Sequence, residues 1–407
     1  MSRRRRPVVT AAAGGAKIKL EMVANLQAEL LRRIRARDGL SRTDLARDMG
    51  LAPSTVGIYV DRLVDQGFLR ESKSGERDSG RPPTLLSPNA QGGRFIGVDF
   101  EARNLFAVAV DFSQNPLRRF HDILAPGESV PNILRQIERA VETVAAGDQR
   151  PILGLGVGVP GVIDHAQGVA LRYKHIPGWA NVPLVRHLSD RFGVPVYLEN
   201  NIRTMALAEL WFGQGRAVSN FICLGVRSGV GAGIIVNGQI YRGANNRAGE
   251  IGEWPSFAPG WKAVAGDRNI ARLEELASFR SVGPRLAHAG SGAPASLRVP
   301  GAETQLEVLL QAARTGDAEV LGILDRTAGA FGLALNQLQC AFDPEKIILA
   351  GLFTAFGDLF RSRLEAKLQA FAPTIGGPVV VNSELGDYNG ALGAAALGVH
   401  AWRPALS

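Results

Sequence analysis

Cysteine is almost missing from this sequence. Cys223 and Cys340 are the only two in 407 residues, far apart and without a second pair, which excludes a disulfide framework and a cysteine zinc centre. Long hydrophobic runs are missing too. No stretch approaches the roughly 18 apolar residues of a membrane span, and the segment after Arg3 to Arg6 is small-residue and glycine-interrupted, unlike a secretion signal. These absences predict a cytoplasmic protein without membrane association. The third shortage is of charge of one sign over most of the chain: beyond residue 90 there are 29 Lys and Arg against 28 Asp and Glu, whereas residues 1–90 hold 17 against 10. The net +8 is therefore gathered at one end, the electrostatic footprint of a nucleic-acid-binding head on a near-neutral body. With 46% hydrophobic residues, the chain has enough apolar material for two or three cored domains.

Residues 1–18 read as a basic flexible tail, with Arg3 to Arg6 either a DNA arm or a solvated end. Residues 19–90 read as a winged helix-turn-helix. Leu26, Leu30, Leu31 and Ile34 recur at helical spacing before Gly39, which predicts a helix over residues 20–37. Arg32, Arg33, Arg35 and Arg37 crowd its last turn, where they suit the helix dipole and can also lie along phosphates. A second helix starts at a capping Ser41, buries Leu45 and Met49, and stops at Gly50. After Leu51-Ala52-Pro53, a third helix capped by Ser54 buries Val56, Val60, Leu63 and Val64. That leaves Thr55, Ile58, Tyr59 and Arg62 pointing outward, and with Arg42 and Ser54 these are the candidate contacts to operator DNA in a major groove. The turn-rich basic segment Ser72 to Ser87 reads as a β-wing, its Gly80-Arg81-Pro82 either placing Arg81 in a minor groove or forming a linker.

From Phe95 the pattern changes. IGVDF (Ile96 to Phe100) and LFAVAVDF (Leu105 to Phe112) read as adjacent strands, and further short β-type runs alternate with helical stretches such as Asn201 to Trp211, which predicts an α/β body. Five segments then follow in order: GVGVPGVID (Gly156 to Asp164), HIPGWANVPL (His175 to Leu184), YLENNIRTMALAE (Tyr197 to Glu209), RGANNRAGEIGE (Arg242 to Glu253) and LEELAS (Leu273 to Ser278). Together they resemble the ROK family of repressors, open reading frames and sugar kinases. The resemblance implies a two-lobed actin-like ATPase fold of ribonuclease H-like type over residues 91–407, with a lobe boundary near residue 200 and a C-terminal helix returning to the first lobe. It also implies that the body binds an effector and forms the oligomer. Members with a winged head look like sugar-responsive regulators, and headless members are mostly kinases.

Against the family pattern, the phosphate-cradling chemistry is depleted. Where kinases of the family read D-x-G-G-T-K, this chain has Asp99-Phe100-Glu101-Ala102-Arg103-Asn104, so side chains replace both glycines and Glu101 puts a carboxylate where phosphate charge would sit. A second turn, Arg227 to Gly233, keeps more glycine, which tight strand packing explains equally well. At the proton-acceptor position the family Asp is Asn201, and an amide has no useful basicity, so no catalytic residue is expected and ATP binding is not expected. The ligand positions implied by the resemblance are Gly161, Asn200, Asn201, Glu250, Glu253 and Glu274, with helix capping as the alternative for the two asparagines. Glu253 stands where the family usually has a His that contacts sugar and, in many members, zinc. Ala265, Asp267 and Arg272 align with the partner cysteines, so no zinc is expected, and Trp254, Phe257 and Trp261 are the proposed substitute for it in holding the loop.

The resulting expectation is a repressor that binds double-stranded operator DNA as a homo-oligomer, dimer or tetramer, and is released by a sugar or sugar-like effector. A DNA-binding sugar kinase and a regulator signalled by a partner protein remain the rivals.

Overall fold

Ser41 and Gly50 bracket the second helix of the head as their chemistry dictates. The Ser41 hydroxyl accepts from the Asp44 amide while Asp44 accepts from the Ser41 amide, and Gly50 sits at φ 63°, where a β-carbon is disfavoured. The computed structural model describes residues 25–37, 39–73, 84–257, 270–289, 302–371 and 377–404. In the head these give α1 (25–36), β1 (Leu40–Ser41), α2 (Arg42–Met49), α3 (Pro53–Asp65), β2 (Leu69–Lys73) and β3 (Thr84–Pro88), the strands forming an antiparallel sheet in the order β1-β3-β2. Residues 1–18 and the wing tip with Arg81 lie outside the described residues. One expectation is corrected: α3 begins at Pro53 with Ala52 as its cap, and Ser54 lies inside the first turn. Proline has no N–H to satisfy and its fixed φ already matches the first helical position, so no side-chain cap is needed there.

The first lobe opens with the antiparallel meander β4 (Arg94–Phe100), β5 (Asn104–Asp111) and β6 (Pro116–Ile123), followed by α4 (Val130–Ala145). β7 (Ile152–Val159) then returns parallel to β4. A small sheet of β8 (Val162–Asp164), β9 (Val169–Arg172) and β10 (Ala180–Val182), the helix α5 (Leu184–Phe192) and β11 (Val196–Asn200) complete the lobe. Its main sheet runs β11-β7-β4-β5-β6. α6 (Asn201–Phe212) starts at the end of β11 and leads into the second lobe. There β12 (Phe221–Val226), β13 (Val230–Val236) and β14 (Gln239–Ile240) form a second antiparallel meander. After β15 (Pro255–Phe257), β16 (Ile270–Arg272), α7 (Leu273–Ala277), α8 (Phe279–Ala289), α9 (Ala302–Arg314) and α10 (Ala318–Phe342), the strand β17 (Lys346–Gly351) runs parallel to β12. α11 (Asp358–Phe371) and β18 (Val379–Asn382) follow, giving the order β14-β13-β12-β17-β18. The same strand plan therefore occurs twice, which is the duplicated ribonuclease H-like arrangement of an actin-like fold.

The last helix, α12 (Asn389–Ala401), lies against the sheet of the first lobe, over β4 and β7. It gets that close through glycine. A β-carbon on Gly97 would run into the backbone of Ala391 and Ala395, one on Gly156 into the backbone of Ala394, and one on Gly393 into that of Thr204 in α6. The head shares a core with the same region: Leu30, Leu31 and Ile34 of α1 belong to one buried cluster with Phe95, Val110, Phe112 and Trp402. At this joint Phe68, between α3 and β2, stacks on Phe112 at 5.1 Å and meets the edge of Trp402 at 4.7 Å. Arg35 stands over the Phe112 ring at 4.3 Å, and desolvation at this joint pushes its guanidinium down to about 9. No helix among the described residues is long and apolar enough to cross a membrane.

Candidate functional site

The DNA-facing candidates divide by exposure. Ile58 is 55% exposed, a large apolar side chain with no protein to cover it, and Ser54 and Arg62 are exposed beside it. Thr55 and Tyr59 are only half-exposed, and Tyr59 packs against the head core with the Arg62 guanidinium 5.7 Å from its ring. Tyr59 is thus not fully outward as expected: three residues after buried Val56 and four before buried Leu63, it stands on the flank of the apolar stripe. Arg42 is bonded to both Asp61 and Glu71, so its charge is spent within the head. Those two acidic partners, distant in sequence, were missed by motif reasoning.

All six ligand candidates, Gly161, Asn200, Asn201, Glu250, Glu253 and Glu274, line one cleft between the lobes. It encloses a cavity of about 180 Å³, below the roughly 300–1,000 Å³ typical of drug-sized ligands. Asn200 is largely committed to structure. Its Oδ1 accepts from the amides of Ile202 at 2.9 Å and Arg203 at 3.4 Å, capping α6, and its Nδ2 donates to the Gly161 carbonyl at 3.1 Å. Asn201, the first residue of α6, has no hydrogen-bond partner for its side-chain amide among the described residues, which leaves that amide for a ligand. Glu250 likewise has no ion-pair partner there, and burial raises its carboxyl, opposed by the charge of Arg203 and assisted by Glu253. Glu274 is bonded across the cleft by Lys174 from the first lobe.

Glu253 pairs with Arg272 at 2.9 Å. Two positions aligned with family zinc ligands therefore bond each other, holding the end of β16 to the turn before β15. Of the proposed aromatic substitutes, Trp254 packs partly buried on the second-lobe core, while the Phe257 side chain and Trp261 lie outside the described residues. Among the described residues no group of three or more His, Cys, Asp and Glu is placed to hold a metal.

Beneath the cleft lies Glu199, whose side chain is 0% exposed. It accepts from the Asn200 amide at 2.8 Å, Arg203 at 2.7 Å, Arg242 at 2.7 Å and His165 at 3.2 Å. Burial alone would raise its carboxyl; the bond from His165 and the charges of Arg203 and Arg242 hold it well below the usual carboxylate range. Arg203 also donates to the carbonyls of Asn246 at 3.1 Å and Ala248 at 3.3 Å, fixing the loop that delivers Glu250.

The two turns that a nucleotide would separate touch directly. Arg227 of the second turn bonds Asp99 of the first and reaches Asn389 at 3.1 Å, and Ser228 donates to Glu101 through its amide at 3.3 Å and its hydroxyl at 3.0 Å. The Tyr173 hydroxyl is hydrogen bonded to Ser228 at 3.0 Å. Complete burial, reinforced by Glu101 and opposed by Arg227, pushes Asp99 up to about 6. The folded chain thus binds this proton more tightly than the unfolded chain, whose value is near 3.8. Asp99 therefore favours folding below about pH 4 and loses that contribution as pH rises through about 6, at most about 3 kcal/mol. Asp99→Asn is expected to flatten the pH dependence of unfolding free energy across that window, and an unchanged slope would refute the assignment.

The ROK family profile matches residues 95–401, and the MarR family profile matches residues 24–76 of the head. The xylose repressor of Caldicellulosiruptor bescii is 32% identical over 336 residues, covering 80% of this chain and 82% of that protein. The DNA-binding transcriptional dual regulator NagC of Escherichia coli K12 is 29% identical over 370 residues, 88% of each chain. A crystal structure of a ROK family transcriptional regulator, homologous to the E. coli MLC protein, superposes with a TM-score of 0.76 at 22% identity, covering 93% of this chain and 97% of its own, which shows a shared fold including the head. The family match over the two lobes and the winged-helix match over the head, on the geometry described above, establish that this chain belongs to the ROK family.

Proposed function

We propose that the chain is a sequence-specific DNA-binding repressor of sugar metabolism genes, in which the inter-lobe cleft binds an effector and transfers no phosphate. The single observation that carries this reading is the direct bonding of the two phosphate turns, Arg227 to Asp99 and Ser228 to Glu101, beside an amide at the proton-acceptor position. A nucleotide would have to break those bonds and bring its phosphates against the Glu101 carboxylate. No group at Asn201 accepts a hydroxyl proton. The same amide can hold a sugar hydroxyl in both directions, so binding survives without turnover.

The effector chemistry follows from what is left unpaired. Glu250 and the Asn201 amide face the cleft without protein partners among the described residues, and Glu253 and Glu274 add carboxylates to the same wall. Such a wall accepts hydroxyl or amino hydrogens and disfavours phosphorylated or acidic sugars. The sugar's hydroxyls would compete with Lys174 for Glu274, so ligand entry and the cross-cleft contact are linked. Binding as a symmetric dimer or tetramer would let paired heads read two half-sites.

The test is twofold. Across a panel of hexoses, pentoses and amino sugars, a coupled ADP-release assay is expected to stay at background, and turnover abolished by Asn201→Ala would overturn the reading. In parallel, Ile58→Ala or Arg62→Ala is expected to weaken binding to operator fragments recovered by genome-wide footprinting by about 1–3 kcal/mol. Unaltered affinity in both variants would place base contacts elsewhere on the head.

A further inference from the structure

α12 touches both functional regions. At its N-terminus Asn389, 2% exposed, accepts from Arg227 at 3.1 Å, and Arg227 in turn bonds Asp99, so the helix start is tied to both turns at the floor of the cleft. At its other end Trp402, 8% exposed, packs on Phe68 at 4.7 Å, Phe112 at 5.4 Å and Phe95 at 6.3 Å. Phe68 is the residue that joins α3 to the wing strand β2. The next residue, Arg403, donates to Asn25 at the start of α1 at 3.3 Å. Between these ends lie 13 residues, about 20 Å of helix, buried from Asn389 to Val399 and pressed against β4, β7 and α6 at Gly97, Gly156 and Gly393.

We propose that α12 is the mechanical link between cleft and head, with Arg227 gripping its cleft end and Trp402 setting the position of the head at the other. Arg227 belongs to the second lobe and Asp99 to the first, so any change of inter-lobe angle moves the guanidinium relative to Asn389. α12 cannot absorb that movement by tilting, because backbone meets backbone where it crosses the sheet. The displacement reaches Trp402 and the aromatic joint under α3. This inference rests on the regulator reading for its purpose, but the link itself is a property of the folded chain.

The test is amide hydrogen exchange on the full chain, free of DNA and sugar. Asn389→Ala removes the bond to Arg227 while leaving the Arg227–Asp99 pair, and Asn389→Ser keeps a polar oxygen at the helix start with a shorter reach. Relative to the buried amides of α10, both are expected to speed exchange at the Phe68 and Trp402 amides by at least about fivefold, the low end of measured site-to-site couplings. Trp402→Phe is expected to speed exchange reciprocally at Arg227 and Gly390, since coupling acts equally in both directions. Effects confined to the mutated end in all three variants would overturn the link. Failure of the regulator reading looks different: the wild-type chain would then not be retained by duplex DNA at low salt, whatever the exchange pattern.

Discussion

Replacement of Arg203 by methionine is expected to destabilise the chain by about 3–5 kcal/mol, the range for removing one partner of a buried ion pair. Methionine keeps most of the side-chain volume, so the loss comes from charge and not from a cavity. Arg203 is 2% exposed and Glu199 fully buried, so Glu199 would keep only Arg242, His165 and one amide as partners. The carbonyls of Asn246 and Ala248 would lose a donor at the same time, freeing the loop that carries Glu250. Denaturant unfolding of the purified variant reads the first effect, and sugar-induced thermal shift, where the wild type shows one, reads the second. A cost below about 1 kcal/mol, the scale of exposed pairs, would mean the network is not a structural keystone of the cleft. Its pH dependence has a definite sign. Because Glu199 is held below the ordinary carboxylate range, its contribution is complete above about pH 4.5 and is lost as pH falls through the folded value. That is opposite to the sign for Asp99, so the two buried carboxylates are separable by acid titration of single variants.

Phe112→Ala is expected to cost about 3–5 kcal/mol, as for other buried aromatic truncations, with the damage concentrated where the head meets the body. Phe112 is 0% exposed and touches Phe68, Phe95 and Trp402. It also supplies the ring over which the partly buried Arg35 is stacked. Truncation therefore opens a void and removes the favourable face from a cation already pushed down by desolvation. The expected signature is loss of a single cooperative transition: the winged helix melts before the lobes, visible as two unfolding steps in calorimetry. Phe112→Leu should recover much of the stability. A single undisturbed transition in the alanine variant would show that the joint is not what holds the head in place.

Much of the head was legible because its signals are local. Ser41 and Asp44, Gly50, Pro53 and the spacing of Val56, Val60 and Leu63 each act within a turn or two of chain, and α2 and α3 follow from them. Two readings there were off: Ser54 as a cap came from weighting hydroxyl capping above the conformational fit of Pro53, and Tyr59 as an outward residue from overlooking its place on the flank of the apolar stripe. The duplicated strand order was not legible. Each strand reads as a short apolar run, and although β12 pairs with the adjacent β13, its other partner β17 lies more than a hundred residues away. In the cleft, the polar residues of the quoted segments converge, since the segments themselves mark the loops that build it. What stayed hidden were the ion pairs: Arg227 with Asp99, Arg203 with Glu199, Lys174 with Glu274 and Glu253 with Arg272 are all set by tertiary placement. All but Lys174 had been in view as part of a motif or alignment, and none announced its partner.

The composition of α12 has a consequence for how it moves. Where it crosses the middle of β4 and β7 its contact is made by glycine and alanine, while Leu392, Val399 and Trp402 are anchored in the core that holds Phe95 and Phe112. Lateral play is stopped by hard backbone contact in the middle, and any lengthwise movement has to carry the anchored side chains with it. A push at the Asn389 end is therefore passed on to the side chains packed around Trp402, as along a rod keyed to its sleeve.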